Sequence, residues 1–391
     1  MTAKSRLAGT TAPDLTAFVR EVVGRVVDPE LRRPLAELGM IRDVRVTGAA
    51  AVVEVALTIS TCPAADRIKA DVLAAADTVE GLNEVQVVLT VMTEQERVAL
   101  TSKLRDGRSR TGTPFSAQSL TRVIAVTSGK GGVGKSSVTA NLAVAMAAQG
   151  IRVGIVDADV HGFSIPGLLG LIGDDGETLR PTRVEDLVLP PVGYGVKTIS
   201  IGMFLPEGDT DAVVSWRGPM LHRTLDQFIT DVFFGDLDVL LIDMPPGTGD
   251  VAISVGQLLP HAEVIVVTTP QCAATEVAVR SAFLARKLGQ RIIGVVETMA
   301  PMHLPDGSEF APFGTGGGNT LAERLSTNGE VVPLLGSVPF SPALRVAGDT
   351  GTPVAASDPA DPAAQVFTSL ATALSIRPRG LPGRRLPVSL S

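Results

Sequence analysis

The chain has 391 residues, 45% of them hydrophobic, which is enough for more than one core. Its formal charge of -7 excludes a surface built throughout to bind nucleic acid or anionic lipid, and a single Trp and a single Tyr exclude an aromatic platform for single strands. Two cysteines, Cys62 and Cys272, exclude a disulfide framework and fit a reducing compartment. The opening "MTAKSRLAGTTAPDL" has no apolar core of signal-peptide length, and no apolar run approaches the roughly 18 residues that span a bilayer. The expectation is a cytoplasmic protein with neither nucleic acid nor membrane as partner.

From residue 13 to about 100 the pattern reads helix ("LTAFVREVVGRV"), two alternating strands ("IRDVRVTG", "AAVVEVALTIS"), helix ("PAADRIKADVLAAADTV") and strand ("LNEVQVVLTVM"). That is a small α+β domain. Residues 101–120 carry four basic residues among small polar ones and read as a linker. Residues 121–375 then alternate helices with short β-rich runs, "RVIAVT", "RVGIVD", "DVLLID", "EVIVVTT" and "RIIGVVE", suited to strands buried on both faces. Alternation of this kind predicts an α/β domain with a doubly wound parallel sheet and a ligand at the carboxyl ends of its strands. The tail 376–391, with four arginines and three prolines, reads as disordered.

One loop carries the chemistry. In "VTSGKGGVGKSS", residues 126–137, Gly129, Gly134, Lys135 and Ser136 satisfy G-x-x-x-x-G-K-[ST] between a predicted strand and a predicted helix. Residues of this type turn backbone N–H groups around phosphate oxygens, so Gly129, Lys130, Gly131, Gly132, Val133, Gly134, Lys135, Ser136 and Ser137 form the expected nucleotide cradle. Lys135 is expected at the β- and γ-phosphates and the Ser136 hydroxyl on magnesium. Lys130 is surplus to that cradle, because backbone donors and Lys135 already fill the loop's curvature. Its sensible use is in trans, reaching phosphates held by a second subunit as an arginine finger does.

Two further segments end in carboxylates. "GIVDADVHGFSIP" puts Asp157 and Asp159 at a strand end, where they suit magnesium and water positioning; capping the following helix is the alternative, for Asp157 above all. "DVLLIDMPPGTGD" is a buried strand ending in Asp243, an arrangement that holds magnesium. Gly247 and Gly249 beyond it are candidates for a γ-phosphate donor on a segment that rearranges with hydrolysis, or for a plain turn.

"SGKGGVGKS" resembles the deviant Walker A loop of dimeric ATPases that include partition ATPases, nitrogenase reductase and the Mrp family of iron-sulfur cluster carriers. "DADVHGFSIPGLLG", "WRGPM" from Trp216, "DVLLIDMPPGTGD", "VVTTPQ", "GVVETM", "FGTGGG" from Phe313 and "GSVPFSPALRVAGDTGTPV" are similar to the Mrp pattern in its order. "VVDPEL", "ELGMI" and "TISTCPAAD" are similar to the iron-sulfur assembly domain often fused to Mrp proteins. The resemblance implies a homodimeric, magnesium-dependent ATPase that acts with iron-sulfur apo-proteins or assembly factors. It makes Lys130, Lys135 and Asp159 catalytic, Ser136, Asp157 and Asp243 the magnesium residues, and Gly247, Thr298 and Pro339 further nucleotide contacts. The other class in view is a partition-type ATPase switch that binds DNA or membrane as an ATP dimer, with the linker and tail arginines as its contact.

Three positions depart from the Mrp pattern. Carriers usually hold a C-x-x-C pair between the segments matching "GVVETM" and "FGTGGG", and this chain has "APMHLPDGSEFAP" there. Thr298 stands where an asparagine commonly meets adenine, and His161 where tyrosine is usual. Without the pair, Cys62 is the candidate iron-sulfur ligand: it opens a predicted helix, whose dipole lowers a thiol pKa. A structural role is its alternative. Cys272 reads as a small buried hydrophobe.

Overall fold

Alternating apolar residues in the first hundred positions build a three-stranded sheet with its helices. The computed structural model describes residues 12–59, 62, 64–105, 115–160, 162–205, 218–327 and 329–375. Residues 106–114 of the expected linker, His161, Trp216 and the arginine-bearing tail lie outside the described residues. The chain divides into two units, the first comprising residues to 111 together with 182–190.

In the first unit, α1 (Ala12–Gly24), α2 (Leu35–Leu38), β1 (Ile41–Thr47), β2 (Ala50–Leu57), α3 (Ala65–Ala76), β3 (Glu84–Val91) and α4 (Glu94–Arg105) follow in order. The sheet order is β1-β2-β3, β1 antiparallel and β3 parallel to β2. Val19, Val23, Val53, Val55, Ile68 and Val72 are fully buried between helices and sheet. The "VVDPEL" segment is an Asx turn in which Asp28 Oδ1 accepts the N–H groups of Glu30 and Leu31 at 2.9 and 2.7 Å. The structure corrects the start of the linker. Residues 101–105 continue α4, because Leu100 and Leu104, one helical turn apart, are both buried. Thr93 and Glu96 close a capping box at its start, Glu96 Oε2 accepting from Thr93 N–H at 2.6 Å.

Beyond the linker come β4 (Arg122–Ser128), α5 (Lys135–Ala148), β5 (Val153–Asp157), α6 (Ile165–Leu168), β6 (Thr182–Val184), β7 (Leu187–Leu189), β8 (Val192–Gly193) and β9 (Val196–Ser200). Then follow α7 (Gly218–Thr230), β10 (Val239–Asp243), α8 (Asp250–Leu258), β11 (Glu263–Thr268), α9 (Cys272–Lys287) and β12 (Arg291–Ala300). The rest is β13 (Met302–His303), β14 (Glu309–Phe310), α10 (Gly317–Leu325), β15 (Leu334–Pro339), α11 (Pro342–Asp349), α12 (Val354–Ser357) and α13 (Pro362–Ser375). The hairpin of β6 and β7 belongs to the first unit.

The second unit is built on an eight-stranded sheet of order β15-β12-β11-β4-β10-β5-β9-β8, parallel except for the edge strand β8. Every residue of β5 and β10 is buried, which is why these strands read as unbroken apolar runs. The doubly wound expectation holds for the five strands named from the sequence, and β8, β9 and β15 extend the sheet. With all strands but β8 parallel, one edge collects the carboxyl ends of β4, β5, β10, β11 and β12, and there the phosphate loop sits.

Candidate nucleotide site

The loop between β4 and α5 takes its shape from glycines with different duties. Gly132 and Gly134 adopt left-handed φ of 76° and 78°, which a side chain resists. An added Cβ on Gly131 would meet nothing within 4 Å, so that residue borders open space. Gly129 serves packing instead: a Cβ there would lie 2.3 Å from the backbone N of Ala278 in α9. Gly134 caps α5 with no side-chain hydrogen bond, which leaves the first-turn N–H groups, those of Ser136 and Ser137 among them, to be met from outside the helix. An anion is their natural acceptor.

Behind the loop, Asp243 gathers the polar groups. Its Oδ2 lies 2.6 Å from both Lys135 Nζ and Ser136 Oγ, and its Oδ1 accepts the Thr139 hydroxyl at 2.7 Å. Asp159 Oδ2 stands 3.6 Å from Lys135 Nζ. Thr139 belongs to no motif; its place one turn after Lys135 on α5 is its only signal in the sequence. Asp157 is fully buried. Its oxygens accept from Ser200 Oγ at 3.0 Å, Asp159 N–H at 3.2 Å and Ile165 N–H at 3.4 Å, so it braces the turn into α6. Burial first, and the Asp243 charge second, push Asp157 up to about 7. Burial also raises Asp159, against the pull of Lys135.

Three carboxyl groups thus share one lysine ammonium in a site where Asp157, Asp159, Asp243 and Lys135 are all buried. A divalent cation would balance that excess, and a hydroxyl with a carboxylate is the donor set magnesium takes when phosphates and water supply the rest. Among the described residues, no group of three or more His, Cys, Asp and Glu is arranged to hold a metal ion alone.

The remaining expected residues fall in different places. Lys130 Nζ donates to Gln271 Oε1 at 3.1 Å. Gly247 is left-handed with φ 86°, and its N–H is given to Ser128 O at 2.8 Å, which corrects the expectation of a donor facing the γ-phosphate. Ser281 Oγ of α9 adds contacts to Ser128 O and Gly247 O at 3.2 and 3.1 Å, joining the two segments. The Thr298 hydroxyl is engaged by backbone, 2.6 Å from Val133 O and 3.1 Å from Thr268 O. Pro339 ends β15 in register with Ala300.

Both cysteines correct the sequence reading. Cys62 precedes the first residue of α3 by three positions and is buried; burial, then Glu30 and Asp28, push its thiol up to about 12. It is no dipole-activated thiolate. Cys272 is exposed as the first residue of α9, because "TTPQ" carries the chain out of the sheet before the helix starts. Where carriers have the cysteine pair, this chain folds the small antiparallel hairpin of β13 and β14.

A strand, glycine loop and helix with a buried lysine and aspartate and a half-buried serine define a P-loop NTPase. The model described as NUBPL iron-transfer P-loop NTPase matches residues 119–375, and the model described as iron-sulfur cluster assembly protein matches residues 16–89. A Mycobacterium bovis protein named iron-sulfur cluster carrier protein is 51% identical over 383 residues, covering 97% of this chain and 98% of its own. A Synechocystis protein of the same name is 39% identical, covering 91% and 96%. Among solved structures, a nucleotide-binding protein from Archaeoglobus fulgidus in complex with ADP is 31% identical, covering 61% of this chain and 92% of that one with a TM-score of 0.48. The chain belongs to the iron-sulfur cluster carrier family of P-loop NTPases. No helix among the described residues is long and apolar enough to cross a membrane.

Proposed function

We propose that this protein is a magnesium-dependent ATPase, acting as a homodimer, that assists the assembly of iron-sulfur clusters or their transfer to apo-proteins. The observation that carries the reading is Asp243, its carboxylate 2.6 Å from both Lys135 Nζ and Ser136 Oγ. With nucleotide bound, Lys135 would meet the phosphates, while Ser136 and Asp243 would hold magnesium, which supplies charge neutralisation at the transferred phosphoryl group. Asp159 stands where it can position water, and Asp157 backs it through its hydrogen bond to the Asp159 N–H. Lys130, whose Nζ donates to Gln271 Oε1, would act on nucleotide held by a second subunit.

The absence of a C-x-x-C pair in 300–312 and the burial that pushes the Cys62 thiol up favour a nucleotide-driven adaptor over a carrier that holds its cluster on its own cysteines. The metal ions of a cluster are then cargo handled with a partner that supplies thiolates. Phosphate release tests the reading. It should require magnesium and be abolished in Lys135→Ala; release that persists without Lys135 would remove this site from the activity.

A further inference from the structure

The two edges of the first unit's sheet are built differently. Strand β1, at one edge, carries Arg42, Asp43 and Arg45 and has a bulge between Ile41 and Asp43. Its charges are engaged, Arg42 with Glu54 at 3.2 Å and Glu96 at 2.7 Å, and Asp43 with Arg45 at 3.0 Å. Charge and a bulge are how a sheet edge is closed to further strands. Strand β3, at the other edge, has neither. Residues 85–93, "VQVVLTVMT", hold no charge, Gly or Pro; β3 runs in unbroken register with β2, and Val88 and Val91 are exposed. The β6–β7 hairpin of the same unit forms a sheet of its own and does not extend this one.

The ladder fixes which groups of β3 face outward. Glu84 N–H is given to Ala49 O at 3.4 Å and Met92 N–H to Leu57 O at 2.8 Å, both on the β2 side. A strand turns the backbone groups of successive residues to alternate sides. The even-numbered residues of β3 therefore bond β2, while Val85, Val87, Leu89 and Val91 turn N–H and C=O to the open side. Among the described residues, the contact made there is that of Arg42, which donates to Val91 O at 3.1 Å.

We propose that this edge is completed by a second copy of itself: β3 of two chains pair antiparallel about a two-fold axis at Val88, joining two three-stranded sheets into one. The place of the axis follows from parity. All four outward residues find partners when Val85 faces the copy's Val91 and Val87 the copy's Leu89, and that register sets Val88 against Val88. Gln86 then faces Thr90 and Glu84 faces Met92, so no like charges meet. A foreign strand would be selected by charge, and this edge carries none between Glu84 and Glu94. The pairing uses no nucleotide contact and does not rest on the reading of the phosphate site.

Two measurements on the full chain without nucleotide test it. In a Cys272→Ser background, which removes the exposed thiol, Val88→Cys and Gln86→Cys are each oxidised with glutathione disulfide. The axis leaves the two Cα atoms of position 88 about 4.5 Å apart, within disulfide reach, and those of position 86 about 14 Å apart, beyond it. Covalent dimer should form at least about tenfold faster from Val88→Cys. Sedimentation should show the parent self-associating, and Val88→Lys, which sets two ammonium groups together at the axis, should raise the dissociation constant at least about tenfold. Glu54 pairs with position 88 in register, so the lysine has an acidic neighbour within its own sheet, and an unchanged circular dichroism spectrum checks that this variant folds. Equal rates from the two cysteine variants, or Val88→Lys sedimenting as the parent does, would overturn the inference, and neither result bears on the phosphate site.

Discussion

Replacing Lys135 by alanine should unfold the nucleotide-free protein more easily, for a reason separate from phosphate binding. The ammonium sits 2.6 Å from Asp243 and 3.6 Å from Asp159, with side-chain exposures of 6%, 0% and 11%. Removing one partner of a buried ion pair costs about 3–5 kcal/mol, because the remaining charge is left uncompensated. Asp243 keeps the Ser136 and Thr139 hydroxyls, so the lower end, about 3 kcal/mol, applies. Urea unfolding followed by circular dichroism, with chelator and no nucleotide, reads this directly. Adding Asp243→Asn to Lys135→Ala should recover part of the loss, with a coupling of about 1–3 kcal/mol. Magnesium should stabilise Lys135→Ala more than the parent, since a cation then replaces the ammonium. A Lys135→Ala chain within about 1 kcal/mol of the parent, the worth of a solvated pair, would refute the reasoning.

Gly129→Ala should destabilise by about 1–3 kcal/mol, since its Cβ would lie 2.3 Å from Ala278 N, whereas Gly131→Ala should leave the unfolding midpoint where it is; equal midpoints for both variants would contradict the two duties assigned to these glycines. Glu96 is held below the ordinary glutamate range by the Thr93 N–H and by Arg42. Its stabilisation is therefore present above the unfolded pKa and lost as pH falls through the lowered one, so the midpoint difference between Glu96→Gln and the parent should be largest at neutral pH and fade in acid. A difference that does not change with pH would rule out the carboxylate. Anaerobic reconstitution with iron and sulfide should give no stoichiometric cluster that depends on Cys62, whose thiol is buried and pushed up to about 12. A cluster present in the parent and lost in Cys62→Ala would make the protein a carrier through its first unit.

The parts of the fold legible in the sequence are those where one physical demand dominates. β4, β5, β10, β11 and β12 are buried on both faces and therefore read as continuous Val, Ile and Leu. β9 escapes because it buries Lys197, and β15 because Gly336 interrupts it and Pro339 ends it. The phosphate loop was legible for the same reason as the central strands: left-handed turns at Gly132 and Gly134 and the lysine-serine pair admit few substitutes. What the pattern did not carry were contacts made across the chain. The duty of Gly129 depends on α9, some 150 residues on; Thr139 matters through Asp243; and the state of Cys62 is set by burial and by Asp28 and Glu30. The Thr298 hydroxyl looked free for a ligand until the fold placed two backbone carbonyls against it.

Lys130 is where the account of a nucleotide-driven dimer is most exposed. Its Nζ donates to Gln271 Oε1 of its own chain at 3.1 Å, and the proposal is that it acts on nucleotide held by a second copy. The measurement is nucleotide affinity beside turnover, across protein concentration, for the parent and Lys130→Ala. The account predicts a parental rate per chain that climbs as the dimer forms, and a Lys130→Ala chain that binds Mg-ATP nearly as well but turns over about 10³-fold more slowly. Hydrolysis by Lys130→Ala at the parental rate would contradict it.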